Sequence, residues 1–149
     1  MRTSIVALGA LVGLASTQQA IVANNCNQPI YVQSFPYSGG GNPGPLSTVE
    51  PGHTYSEQFR LPGSTIKIDN EKTLDGPLFF GYNEHDGNVY YEFSDAWGNP
   101  FVQDHNILSA GEGCYVFDCL PHAEGCYSKD GSNVPHCPGT PSVTATICA

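Results

Sequence analysis

The sequence predicts an all-β fold, and three observations carry that prediction. Glycine and proline are abundant (17 and 12 residues) beside many Val, Ile, Thr, Tyr and Phe, the composition of short strands joined by turns. Several stretches alternate apolar and polar residues with a period of two, as "STIKIDN" does. After the first twenty residues, no stretch repeats apolar positions at the spacing of an amphipathic helix.

The first twenty residues, "MRTSIVALGALVGLASTQQA", have the layout of a secretory signal peptide. Arg2 precedes an apolar run from Ile5 to Leu14, and small and polar residues follow. The run is shorter than the roughly 20 apolar residues that span a bilayer. Ala20 is the expected last residue of the leader, giving a signal peptide over 1–20 and one domain over 21–149. A cut after Ala15, with Gly13 at −3, is the second choice, since Gln18 fits poorly at −3 before Ala20. No other stretch suits a membrane span or a lipid anchor. The expected product is soluble, secreted and extracellular, with about 130 residues around a single core.

The strands follow in order. "IYVQSF" (Ile30–Phe35) alternates and is rich in β-formers. The glycine- and proline-rich "PYSGGGNPGPLS" reads as a mobile loop. Its "GGGNPG" does not suit a phosphate, because neither a Lys-Ser/Thr pair nor a helix start follows. Pro51-Gly52 marks a turn before a strand that ends near Phe59. In "STIKIDN", Ile66 and Ile68 share one face while Lys67 and Asp69 point the other way. "LFFGYNEHDGNVYYEFS" places Asp86-Gly87 between two β-rich runs, the signature of a two-residue hairpin. In its second arm Val89, Tyr91 and Phe93 share a face, and Tyr90, Glu92 and Ser94 share the other. "CYVFDC" and "VTATIC" supply the remaining strands.

Charge narrows the partners. The formal net charge is −9. Without the leader, only Arg60, Lys67, Lys72 and Lys129 stand against 14 acids. Such a surface repels nucleic acid and anionic membranes. Six cysteines (Cys26, Cys114, Cys119, Cys126, Cys137, Cys148) in a secreted chain read as three disulfides, and spacing alone leaves fifteen pairings open.

The two ends carry a resemblance. "NNCNQPIYV" and "CPGTPSVTATIC" resemble the opening and closing strands of thaumatin-like proteins, and "YYEFSDAWGNPF" is similar to that fold's Tyr-Asp-x-Ser-x-x-x-Gly-x-x-Pro region. "EPGHTYSEQFR" followed by "STIKI" looks like the small fungal branch, the Blastomyces yeast-phase-specific protein family. The motifs occur in the family's order over most of residues 24–149. The resemblance implies a disulfide-stapled, thaumatin-like β-sandwich. It also implies the pairs Cys26–Cys148 and Cys114–Cys137, which leaves Cys119 with Cys126.

The larger plant relatives carry a cleft of one Arg, one Glu and three Asp, associated with binding or slow hydrolysis of β-glucan. On that pattern Glu92 occupies one Asp position, Trp97 another, and the cleft Glu falls near Phe80. A glycosidase needs two carboxyls at a fixed separation, and Asp95, three residues beyond Glu92, would point away from it in a continuous strand. Catalytic residues are therefore expected to be absent, with Glu92 and Trp97 as candidate ligand-binding residues. Trp97, Tyr90, Tyr91 and Phe101 together suggest either a sugar-stacking platform or ordinary buried aromatics. Cys119, His122, Cys126 and His136 have spacings a zinc site uses. Passage through an oxidising compartment favours disulfides instead, so neither metal nor other cofactor is expected. His53, His85 and His105 read as surface residues, and no nucleophile elbow accompanies Ser, His and Asp.

The expected function is that of a secreted, monomeric, non-enzymatic binding protein, effector- or antigen-like. Its partner would be a cell-wall polysaccharide or a host-surface protein. The alternative is a protein that weakly binds or hydrolyses β-1,3-glucan.

Overall fold

The computed structural model describes residues 18–129 and 131–149, and every regular element among them is a strand. In chain order these are β1 (Gln19–Asn24), β2 (Ile30–Pro36), β3 (Ser47–Val49), β4 (Thr54–Gln58), β5 (Gly63–Asp69), β6 (Leu78–His85), β7 (Asn88–Ser94), β8 (Asn106–Ser109), β9 (Val116–Cys119), β10 (His136–Pro138) and β11 (Val143–Ile147). They form two sheets, one ordered β4-β1-β11-β8-β9 and the other β10-β7-β6-β5-β2-β3. The β6–β7 hairpin turns at Asp86-Gly87, where φ is 49° and 72°. A type I′ turn requires positive φ at both central residues, which accounts for this pair there.

Alternation decides which side chains meet between the sheets. Ile30 and Val32, Ile66 and Ile68, Phe80 and Tyr82, and Val89, Tyr91 and Phe93 are buried from the six-stranded side. Ala20, Val22, Leu108, Phe117, Val143, Ala145 and Ile147 face them from the other. Phe93 and Phe117 meet edge to face with ring centroids 6.3 Å apart, a geometry that aromatic quadrupoles favour.

β1 differs from expectation. It starts at Gln19, inside the segment assigned to the leader, and lies between β4 and β11. Ala20 pairs with Val143 on one side and Glu57 on the other, and has no exposed surface. A domain boundary after Ala20 would therefore fall inside a sheet strand.

The loop after β2 also differs from the mobile segment expected. Gly44 N donates to Ser34 O at 2.8 Å, Gln33 Nε2 to Gly44 O at 2.9 Å, and Arg60 Nη1 to Asn42 O at 2.9 Å. A hydrogen-bonded return path holds it to β2.

The "EPGHTYSEQFR" motif supplies a polar tie between the sheets. Glu57 on β4 accepts hydrogen bonds from Ser34 Oγ on β2, the Tyr55 hydroxyl, Arg60 Nε and, at 3.3 Å, the Tyr82 hydroxyl on β6. Four donors satisfy a carboxylate whose side chain is only 10% exposed. Burial, and secondarily the Glu57 charge, pushes the Tyr55 phenol well up. Burial likewise raises Tyr82 to about 12, against the opposing hydrogen bond from the Arg60 backbone.

Disulfides join Cys26 to Cys148, Cys114 to Cys137 and Cys119 to Cys126, the pairs the family resemblance implies. The Cys119 and Cys126 sulfurs are bonded to each other, so they are not a thiolate pair for zinc.

Candidate ligand-binding face

The outer face of the six-stranded sheet brings the two candidate residues together. On β7 the buried Val89, Tyr91 and Phe93 alternate with the outward Tyr90 and Glu92. Pairing across the sheet sets Gln33, Lys67, Phe79 and Ser94 in one row, and Phe35, Thr65, Gly81 and Glu92 in the next. Adjacent rows on one face lie about 7 Å apart along the strands.

Glu92 sits over Gly81. A Cβ at Gly81 would lie 2.9 Å from the Tyr37 hydroxyl and 3.3 Å from Glu92 Oε1. Only glycine lets both groups settle there. Glu92 is half-buried, and its Oε2 is buried without a hydrogen bond among the described residues. Burial pushes its carboxyl above the usual Glu range, with the Ser128 hydroxyl pulling the other way. Tyr37 is raised too, first by burial and lastly by the Glu92 charge, against a hydrogen bond from Thr65. The recess around Glu92, about 40 Å³, is lined by Tyr37, Asn83, Tyr90 and Val134 among others, with no second carboxylate among the described residues of its wall.

Trp97 follows β7 in a turn closed by Gly98 N donating to Asp95 O at 3.1 Å. Gly98 has φ 142°, and a Cβ there would lie 2.3 Å from Gly76 O. That close approach folds the turn back so that the indole covers Phe79, with ring centroids 4.3 Å apart. Phe79 is thereby buried although it lies on the outer face, while Trp97 is itself 53% exposed. Lys67 Nζ lies 4.9 Å from the Trp97 ring centroid and 4.8 Å from that of Phe35. The ammonium is thus bracketed by two aromatic faces, an attraction worth about 0.5–1 kcal/mol each at an exposed site. At the sheet's other side Tyr90 packs on His136 at 5.3 Å.

Of the four aromatics named from sequence, Trp97 and Tyr90 belong to this face. Tyr91 and Phe101 do not, since both are core residues with 1% exposure. Phe35, Lys67, Phe79 and Tyr37 join the face without having been singled out. The alternation of "STIKIDN" already turned Lys67 outward, but its aromatic neighbours come from strands that sequence reading cannot pair. Asp95 lines a separate cleft with Val102, His122, Glu124, Tyr127 and Lys129. His122 and His136 lie apart, one in that cleft and the other against Tyr90.

The geometry offers one half-buried carboxylate beside phenols, next to an exposed indole on the outer sheet face. It can accept hydrogen bonds and stack on an apolar ring face.

A family model described as Blastomyces yeast-phase-specific protein matches residues 7–149. No curated protein matches the chain. The crystal structure of the protein elicitor MoHrip2 from Magnaporthe oryzae is similar at 49% identity and TM-score 0.84, over 89% of this chain and 99% of that one. The thaumatin-like xylanase inhibitor TLXI aligns at 12% identity and TM-score 0.60, over 87% of this chain and 99% of that one, a likeness of fold alone. With two sheets, three disulfides and a family match that runs to the last residue, the chain belongs to the Blastomyces yeast-phase-specific protein family and has a thaumatin-like β-sandwich.

Proposed function

We propose that the protein is a secreted, monomeric binding protein of the effector or elicitor type. In this reading it holds a cell-wall polysaccharide or a host-surface protein on the outer face of its six-stranded sheet, without turning it over. The observation that carries this is the recess around Glu92, whose wall holds no other carboxylate among the described residues. A retaining or inverting glycosidase needs a second carboxyl about 5–9.5 Å from the first. An indole one row away suits stacking on a sugar ring or an apolar side chain. Similarity to a fungal protein elicitor supports the same class.

One feature favours the alternative, hydrolysis of β-1,3-glucan. Burial keeps the Glu92 proton to higher pH, as a general acid requires. The two readings separate in one experiment. The secreted protein is incubated with insoluble β-1,3-glucan, chitin and host-cell surfaces, and both retention and release of reducing ends are measured. Retention without release is expected, with Glu92→Gln still retained because a hydrogen-bonding group remains. Hydrolysis that disappears in Glu92→Gln would replace this reading with the enzymatic one.

A further inference from the structure

The start of β1 locates the end of the leader. Gln18 O accepts a hydrogen bond from Phe59 N at 3.1 Å, and the Gln18 side-chain amide donates to Thr140 Oγ1. Gln19 N donates to Ser142 Oγ at 3.0 Å, and Gln19 pairs with Gln58. Ala20 is fully buried between Glu57 and Val143. Three consecutive residues thus make main-chain or side-chain bonds to two neighbouring segments.

A cut after Ala20 would remove all of these contacts and would create an ammonium at Ile21, between two paired strands. A charge placed where a ladder N–H belongs carries a desolvation penalty. It would also leave Phe59 N without its acceptor.

We infer that the mature domain includes Gln18–Ala20, and that processing hydrolyses the Ala15–Ser16 peptide bond. Water adds across that amide, so Ala15 leaves with a carboxylate and Ser16 begins the mature chain with an ammonium. Gly13 and Ala15 put small residues at −3 and −1, with Ala15 directly after the apolar run Ile5–Leu14. The inference assumes the secretory leader and does not depend on what the outer face binds.

The test is N-terminal sequencing and intact-mass measurement of protein recovered from the medium of a eukaryotic host expressing the full precursor. A start at Ser16 is expected, and Ala15→Glu is expected to abolish that start. A start at Ile21 overturns the inference while leaving secretion intact. An unprocessed chain retained in the cells overturns both. A start at any other residue, or an Ala15→Glu precursor still cut before Ser16, overturns the assigned site.

Discussion

Ser34 Oγ on the six-stranded sheet donates a 2.8 Å hydrogen bond to Glu57 Oε1 on the edge of the five-stranded one. Through this pair, and through Tyr82 to the same carboxylate, polar contacts cross a largely apolar sandwich. Glu57→Ala leaves Ser34, Tyr55, Tyr82 and Arg60 to find other partners, and should cost about 2–4 kcal/mol. Urea denaturation measures it. A loss below about 0.5 kcal/mol would show that the network does not tie the sheets.

Trp97→Ala should separate binding from folding. Its indole is more than half exposed, so the variant loses the Phe79 stack, worth about 0.5–1.5 kcal/mol, and keeps the core. Retention on whichever surface the parent binds should fall about tenfold, equivalent to 1.4 kcal/mol. Unchanged retention would move the binding face elsewhere.

Glu92 gives a pH dependence of definite sign. Its folded carboxyl titrates above the ordinary Glu value, so the folded chain holds this proton more tightly than the unfolded chain does. The resulting stabilisation is complete below the ordinary value and is lost as the pH rises through the raised one. Glu92→Gln cannot ionise, so it should exceed the parent in stability at neutral pH. The gain should be under about 1 kcal/mol, since the group is only half-buried. The two proteins should converge below the ordinary Glu value of about 4. Denaturation midpoints across that range decide it, and a Gln variant less stable than the parent at neutral pH would contradict the assignment.

The disulfides should rank by the loop they close. Cys26–Cys148 closes 122 residues and Cys119–Cys126 only 7. Replacing both members of the first pair by Ser should cost about 4–5 kcal/mol in the chain-entropy model, and replacing the second pair distinctly less. Thermal melts of the two double variants check the order, and equal losses would break it.

What was legible in the sequence was local. The β6–β7 hairpin announced itself through Asp86-Gly87 and its flanking runs, and β5 through alternation that sends Lys67 outward. The start of β1 is hidden because the small and polar "STQQA" reads as the end of a leader, which splits "QAIVAN" at Ala20. β3 and β10 have three residues each and β8 four, too few for a period to show. In the candidate face, Glu92 and Trp97 were visible because a family motif spans them. Phe35, Lys67 and Tyr37 gain their roles only through register, since Gly81 opposite Glu92 is what admits the Tyr37 hydroxyl. The ligands of Glu57 were hidden for the same reason, with donors drawn from β2, β4, β6 and Arg60.

The Cys26–Cys148 bond also decides how the molecule carries load. Tension between the two ends of the chain would run along β1 to Cys26 and through the sulfur bridge to Cys148. Everything from β2 to β11 lies inside the covalent ring and off that path. Pulling, or trimming by exopeptidases, acts on β1 from one side or on the chain after Cys148 from the other before it meets the bridge. Ten of the eleven strands are therefore shielded from end-on attack, a useful property in a proteolytic environment.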